Sequence, residues 1–346
     1  MIVGVPRETK EGERRVALLP PAVEEITAAG HDVRIETRAG AGVGIDDHAY
    51  RDARADVVVA RDVWDSDLVV KVKEVQDADL AVMPRGATIF GFHHLPGEPA
   101  RTRALAAKGA TAIAFEMLRD ARGEYPLLAP MSRIAGRMAV ERFPAARVLV
   151  LGAGHAGRAA ALAARRRGSE VVVLARTPRP IGPGLDAQAA TPEAIERHAL
   201  AADLVIGAVF IAGAPTPKLL ARSLVARMKR GATIADISID AGGIAETSRP
   251  TTHAEPTYVE EGVIHYCVPN IPAADPPAAS AAISEAVLPY VLDMAARDSV
   301  AAAVRQNPEL RAGVLLWEGR VNHQGIADEA GLPYTPLTDA ALAESA

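Results

Sequence analysis

Residues 147–176 read RVLVLGAGHAGRAAALAARRRGSEVVVLAR. Residues 148–151 are an apolar, β-branched run of strand length, followed by Gly152, Gly154 and Gly157 at G-x-G-x-x-G spacing. An Ala-rich stretch of helical composition then runs to Gly168, and 171–174 is a second apolar strand. This strand–turn–helix–strand context is that of a dinucleotide-binding βαβ unit. Gly152 permits the tight turn, Gly154 lets backbone approach a pyrophosphate, and Gly157 allows close helix–strand packing. The pyrophosphate is expected on the unpaired N–H groups at the helix N-terminus, around His155 and Ala156, where the dipole favours negative charge. The unit ends unusually. Where an NAD binder places an Asp or Glu for the ribose 2′-OH, this chain carries Ala175 and then Arg176.

The 346 residues suggest about two domains and a core that needs no staples. A net charge of −5 and few aromatics argue against nucleic acid as a partner. The single cysteine, Cys267, excludes an intramolecular disulfide, and its apolar surroundings mark it as an inert buried thiol. The start, MIVGVPRETKEGERR, places charges where a signal peptide needs an apolar region. No uninterrupted apolar run reaches the length of a span, so a cytoplasmic protein with no membrane partner is expected.

Outside the quoted unit, short apolar strands alternate with helical segments, which argues for parallel α/β architecture. The N-terminal part carries MIVGVP, PPAVEEITAAG, DVRIETRAG, DLVVKVKE, ATIFGFHHL, a helix around 98–108 and TAIAFEML. After a connector at 123–130, a helix from Met131 leads into the second domain. There DLVIGAV (ending at Val209), ATIADISID and VIHYCVPNIP read as strands, and the Pro/Gly-rich segment 177–192 as a surface loop. Residues 278–303 are strongly helical in composition and are expected to pack back on the first domain.

Several residues have the chemistry of a carboxylate-binding, proton-exchanging site. Arg14 and Arg15 follow the first strand, and a guanidinium fork matches a carboxylate, although a solvated basic loop is the simpler reading. Lys71 and Lys73 alternate along one strand and share a face near its end, where α/β sites are built. His93 and His94 close another strand, and at most one can enter a given cleft. Asp236 and Asp240 flank Ile-Ser-Ile in a strand, and Asp240 precedes a flexible Ala-Gly-Gly turn; a helix cap is the alternative role. Metal binding finds little support, since there is no HxxxH or CxxC and the acids do not cluster.

These pieces fall in order along one longer pattern: VGVPRETKEGERRVALLP, LVVKVKE, FHHL, LLAPMS-x-IAGR, GAGHAG, ADLVIGAV, SLVARMKRGATIADISIDAGG, SRPTTHAEPTY and YCVPNIP. On these motifs, over most of its length, the chain resembles alanine dehydrogenases and the nucleotide-binding subunit of proton-translocating transhydrogenases. The resemblance implies two Rossmann-like α/β domains with parallel sheets and a cleft between them. It implies a discontinuous substrate domain, 1–126 plus 277–346, and an NAD(P)-binding domain, 127–276. Arg15 and Lys73 match substrate-carboxylate binders, His94 the catalytic histidine and Asp240 the catalytic aspartate. Ser132 and Asn270 match cofactor contacts, with Gly152, Gly154, His155, Ala156, Gly157, Ala175, Arg176 and Val209 completing the cofactor set. A histidine at 94 favours the dehydrogenase branch, because hydride transfer between two nucleotides needs no acid/base for an amino acid.

The chain also departs from the family. A Gly-rich segment before the nucleotide-binding strand is absent, so 143–146 pass almost directly into Val148; the stretch after Asn270 is reduced to Ala278-Ala279-Ser280, and Arg133 stands where a glutamate is common. The expected activity is NAD(P)-dependent oxidative deamination of an L-amino acid, or reductive amination of a 2-oxo acid, in a homo-oligomer (dimer or hexamer). Two alternatives remain: an opine-type or imine-reducing dehydrogenase, and a non-catalytic nucleotide-binding module. For the cofactor, the missing acid and Arg176 favour NADP or dual use.

Overall fold

A computed structural model describes residues 1–211 and 215–344. The chain forms two compact units, Met1–Leu128 with Asp275–Ala346, and Ala129–Ala274. The first begins with strands β1 (Ile2–Val5), β2 (Asp32–Glu36), β3 (Asp56–Val58), β4 (Leu68–Val70), β5 (Thr88–Gly91) and β6 (Thr111–Ala114). The second contains β7 (Arg147–Leu151), β8 (Glu170–Ala175), β9 (Arg179–Gly182), β10 (Leu185–Ala189), β11 (Leu204–Gly207), β12 (Thr233–Asp236), β13 (Thr257–Glu260) and β14 (Val263–Tyr266). The returning chain adds β15 (Val314–Trp317) and β16 (Arg320–Val321) to the first unit.

Each unit is built on one sheet, and the two sheets share a plan. The first runs β3-β2-β1-β4-β5-β6, all parallel, with β15 and β16 added antiparallel beyond β6. The second runs β10-β8-β7-β11-β12-β14, also parallel, with β9 and β13 as antiparallel edges. Both parallel cores are the doubly wound order 3-2-1-4-5-6, which reverses direction beside the first strand. Each sheet therefore has a switch point, β1/β4 in one and β7/β11 in the other, where the strand ends open a crevice for ligands.

Strand β7 shows why the sequence reads as it does. Val148 and Val150 pack on Ala160, Ala161 and Ala164 of the helix His155–Arg166, while Leu149 and Leu151 pack on Ile195, Ala199 and Val225. A strand covered on both faces has no room for the polar alternation of a half-exposed one. Small residues on the helix set the spacing, and Gly136 does the same for the helix Ala129–Arg142. A Cβ at Gly136 collides with the Ala156 carbonyl at the start of the neighbouring helix.

Three expectations need correction. Residues 177–192 are not a plain loop: they form the hairpin β9–β10 before the next helix, and β10 is a full member of the parallel sheet. Burial alternates along the hairpin, with Ile181 of β9 and Leu185 and Ala187 of β10 in the core, so two-residue periodicity survived beneath the Pro/Gly signal. The strand expected to reach Asp240 stops at Asp236, and Ile237–Ala241 turn as a 3-10 helix. The helical stretch after 276 is two helices, Pro276–Ala295 and Val300–Gln306, because Ser299 caps a new start by accepting from the Ala302 N–H at 3.1 Å. By length and composition Pro276–Ala295 could cross a membrane, yet it is woven into the first unit. The hydroxyls of Ser280 and Ser284 accept from the Val16 and Leu19 N–H groups at 3.0 and 2.9 Å.

Candidate active site

In the first unit the expected residues gather beyond the carboxyl ends of β1, β4 and β5. Arg15 lies in the loop after β1, only 2% exposed, and its guanidinium forms a two-pronged pair with Glu13: Nε donates to Oε1 at 2.7 Å and a terminal nitrogen to Oε2 at 2.6 Å. Arg14 beside it faces solvent, so the bland loop reading holds for that arginine and fails for Arg15. Burial opposes the charge of Glu13, but its bonds to Arg15 outweigh that cost and hold its carboxyl below the ordinary range.

The two lysines, expected to share a face of one strand, both follow β4, which ends at Val70, and they have different surroundings. Lys71 is completely buried and its ammonium lies 3.2 Å from Glu8 and 3.1 Å from Asp79. Burial disfavours its charge, yet the two carboxylates prevail and raise its pKa. Glu8 also accepts the Val72 N–H at 2.6 Å and the Lys73 N–H at 3.3 Å, tying the loop after β1 to the end of β4. Lys73, 7% exposed, instead reaches His94, with Nζ 3.5 Å from Nε2. Desolvation lowers the Lys73 pKa, helped by the charges of Arg15 and Lys10 and opposed by Glu74 and Glu13.

His93 and His94, expected to close a strand, both follow β5, which ends at Gly91; they part company because the backbone turns left-handed at His94. His93 is buried with Nε2 3.4 Å from the Ile89 carbonyl, and burial pushes its pKa down to about 4. His94 reaches solvent, but its ring lies flat against Phe92 (centroids 5.7 Å apart) and beside the Lys73 ammonium. Desolvation of this crowded ring, followed by the charge of Lys73, lowers its pKa to about 3. The imidazole is therefore neutral at neutral pH, with a basic nitrogen available. Its backbone is left-handed, with φ +46°. Glu116 holds that conformation: Oε1 accepts the N–H groups of both His93 (3.1 Å) and His94 (2.7 Å).

In the second unit the glycine turn follows β7. Gly152 has φ +108°, and a Cβ there or at Gly157 collides with backbone carbonyls, those of Ala208 and Gly152 respectively. A Cβ at Gly154, by contrast, meets nothing within 4 Å. Gly154 caps the helix His155–Arg166 without any side-chain acceptor, and the space beside its Cα is open. This is the shape and polarity a pyrophosphate needs, and the residues present fit a dinucleotide. Val209, past the end of β11, donates its N–H to Ser238 Oγ at 2.8 Å. Ala175 ends β8 and is 8% exposed, Arg176 is exposed, Ser132 is half-buried on Ala129–Arg142, and Asn270 has φ +55°.

Asp240 is exposed on the 3-10 turn, before Gly242 and Gly243, both at positive φ. The capping role considered for it belongs to Asp236, fully buried, which accepts from the Ser238 and Ile244 N–H groups (3.2 and 2.7 Å) and from Ser248 Oγ (2.6 Å). Glu8, Glu13 and Glu116 escaped the sequence reading. The first two stand in the charged run PRETKEGERR, whose alternating signs were the available signal. Cys267 is buried, and burial raises its thiol to about 11, as an inert thiol requires.

Comparison with known proteins agrees with this organisation. "Alanine dehydrogenase/PNT, N-terminal domain" matches residues 4–135, and "Alanine dehydrogenase/PNT, C-terminal domain" matches 128–324. The chain is 40% identical to alanine dehydrogenase of Mycobacterium tuberculosis, covering 97% of this chain and 98% of that one. It is 38% identical to that of Halomonas elongata, with 96% and 98% covered. Among solved structures, an L-alanine dehydrogenase superposes with a TM-score of 0.89 at 35% identity, covering 95% of this chain and 99% of that chain. A transhydrogenase from Sinorhizobium meliloti shares the fold, with a TM-score of 0.82 at 24% identity and 93% and 100% covered. The chain belongs to the alanine dehydrogenase/PNT family.

Proposed function

We propose that the protein is an L-amino-acid dehydrogenase that interconverts an amino acid and its 2-oxo acid, with residues 1–126 and 277–346 holding substrate and 127–276 the nucleotide. One observation carries this reading: the buried ammonium of Lys73 stands 3.5 Å from the neutral ring nitrogen of His94, with the Arg15 guanidinium in the same charged group. A substrate carboxylate is the natural partner for that excess of positive charge. The bound nicotinamide supplies the hydride acceptor, or the donor in the reverse direction.

The residues of this chain then divide the work. Arg15 and Lys73 bind the carboxylate and fix the plane of the α-carbon. Binding it offsets the Lys73 charge that depresses His94, so the imidazole gains proton affinity when substrate is in place. His94 takes the proton released as water adds to the imine carbon, and returns it in reductive amination. Asp240 orients the water or ammonia. Ser132, Val209 and Asn270 contact the nucleotide around the glycine turn. Ala175 and Arg176 favour NADP or dual use, because no carboxylate repels a 2′-phosphate there.

The test is the fall in nucleotide absorbance when 2-oxo acids and ammonia are added, with primary amines as a parallel arm. Turnover with ammonia is expected; turnover with amines alone identifies a reductive condensation instead. His94→Ala should lose about 10²- to 10⁴-fold in kcat while dinucleotide binding is unchanged. An undiminished rate refutes its role.

A further inference from the structure

The hairpin β9–β10 stands where a crossover helix would ordinarily follow β8, and it carries a second cation to the nucleotide turn. Arg179 opens β9 opposite Ala187 of β10, and its guanidinium donates to the carbonyl of Ala153, between Gly152 and Gly154. That contact spans 26 residues of sequence and places a positive charge at the glycine turn itself. The hairpin is held from below as well. Ile181 and Leu185 are buried in the core, and Arg165 of the helix His155–Arg166 donates to the Gly184 carbonyl.

Around this position cations outnumber carboxylates, the hairpin itself carrying one acid, Asp186, opposite Pro180. Ala175, the last residue of β8, offers no carboxylate, and Arg176 follows it. Glu170, at the opposite end of β8, is engaged with Arg147 at 3.1 Å. Among the described residues neither Arg176 nor Arg179 forms an ion pair with a carboxylate. Two guanidinium groups on a strand end and an anchored hairpin, beside an open glycine turn, call for a dianion.

We propose that Arg176 and Arg179 form a 2′-phosphate subsite, which makes the protein selective for NADP. The proposal rests on the dinucleotide reading of the glycine turn. A 2′-phosphate carries nearly two negative charges and three acceptor oxygens, enough to engage both guanidinium groups in charge-assisted bonds. Arg179 loses little by turning from Ala153, since a neutral carbonyl is a weaker acceptor than a phosphate.

Direct binding tests this without turnover. The full-length protein is titrated calorimetrically with NADPH, NADH, adenosine 2′,5′-bisphosphate and 5′-AMP. NADPH should bind about tenfold or more tightly than NADH, and the bisphosphate should exceed 5′-AMP by a similar factor. Arg176→Ala and Arg179→Ala should each weaken NADPH by about tenfold and leave NADH within about twofold. Arg179→Lys, which keeps the charge, should recover part of the loss, with thermal unfolding confirming an intact fold. Tighter binding of NADH by the unaltered protein overturns the proposal. So does an equal loss of both nucleotides in Arg179→Ala, which would make Arg179 only a brace for the turn. Failure of every nucleotide to bind overturns the dinucleotide reading together with this one.

Discussion

The parallel cores of the two sheets have the same strand order and opposite chemistry at their switch points. In the second, an anion is offered backbone N–H groups from a turn that glycine alone can form, with φ +108° at Gly152. In the first, the corresponding crevice is lined by side-chain charges: Arg15 on Glu13, Lys71 between Glu8 and Asp79, and Lys73 beside His94. The backbone site is cheap and general, because peptide dipoles need no counterion. The side-chain site is costly, since each buried charge must be paired, but its protons can move. In the proposed function, the same topology serves cofactor capture in one unit and acid–base chemistry in the other.

The largest test of that contrast is Lys71→Ala. Removing the ammonium leaves Glu8 and Asp79 buried against each other, and a loss of about 3–5 kcal/mol of stability is expected by denaturant unfolding. A loss below about 1 kcal/mol would mean that the first crevice is not built on obligatory ion pairs. On the other side, Gly157→Ala forces a Cβ into the Gly152 carbonyl. It should cost about 1–3 kcal/mol and weaken both dinucleotides together, because the turn itself is displaced. Retained affinity for either one contradicts the backbone account.

Glu116→Gln sharpens the comparison within the first unit. The amide can keep an oxygen where Oε1 accepts both N–H groups, but it is a weaker acceptor than a carboxylate and turns its NH2 towards the His93 N–H that Oε2 also accepts at 3.3 Å, so the left-handed backbone of His94 is less well held. A drop of about tenfold in kcat is expected while KM, which Lys73 and Arg15 set in the proposed function, stays nearly constant. Matching changes in both constants would make Glu116 a general brace. The smallest effect concerns acid. Burial opposes ionisation of Glu74, but the Lys10 hydrogen bond and the Lys73 charge hold its carboxyl at about 2 against an ordinary 4.5. A depressed carboxylate stabilises the fold above pH 4.5, and that contribution fades as pH falls towards 2. Glu74→Gln should flatten the pH dependence of Tm in this window, and an unaltered slope would show that other carboxylates govern it.

Much of the second unit was legible because its signals are local. The spacing of Gly152, Gly154 and Gly157 is itself local and reveals the turn and the helix that follows, although the carbonyl that Gly152 approaches belongs to the distant Ala208. The first unit was harder, since its pairs join distant residues. Lys71 meets Glu8 across 63 positions, and Lys73 meets His94 across 21. In sequence a buried lysine and a solvated one look alike, which is why Lys71 and Lys73 shared one reading until their partners separated them. The hairpin β9–β10 was missed for another reason: its Pro and Gly signals outweighed a short alternation that only the adjacent β8 turned into a strand.

The amino-acid sequence alone was enough for the α/β class, the glycine turn, the loss of an acid at Ala175 and the family resemblance, because each depends on local spacing or on motifs in order. Tertiary structure decided which charges are buried, which cation sits at the glycine turn and which histidine is structural. Those outcomes depend on distances between residues far apart in the chain, and on the cost of leaving any one of these charges unpaired once water is gone.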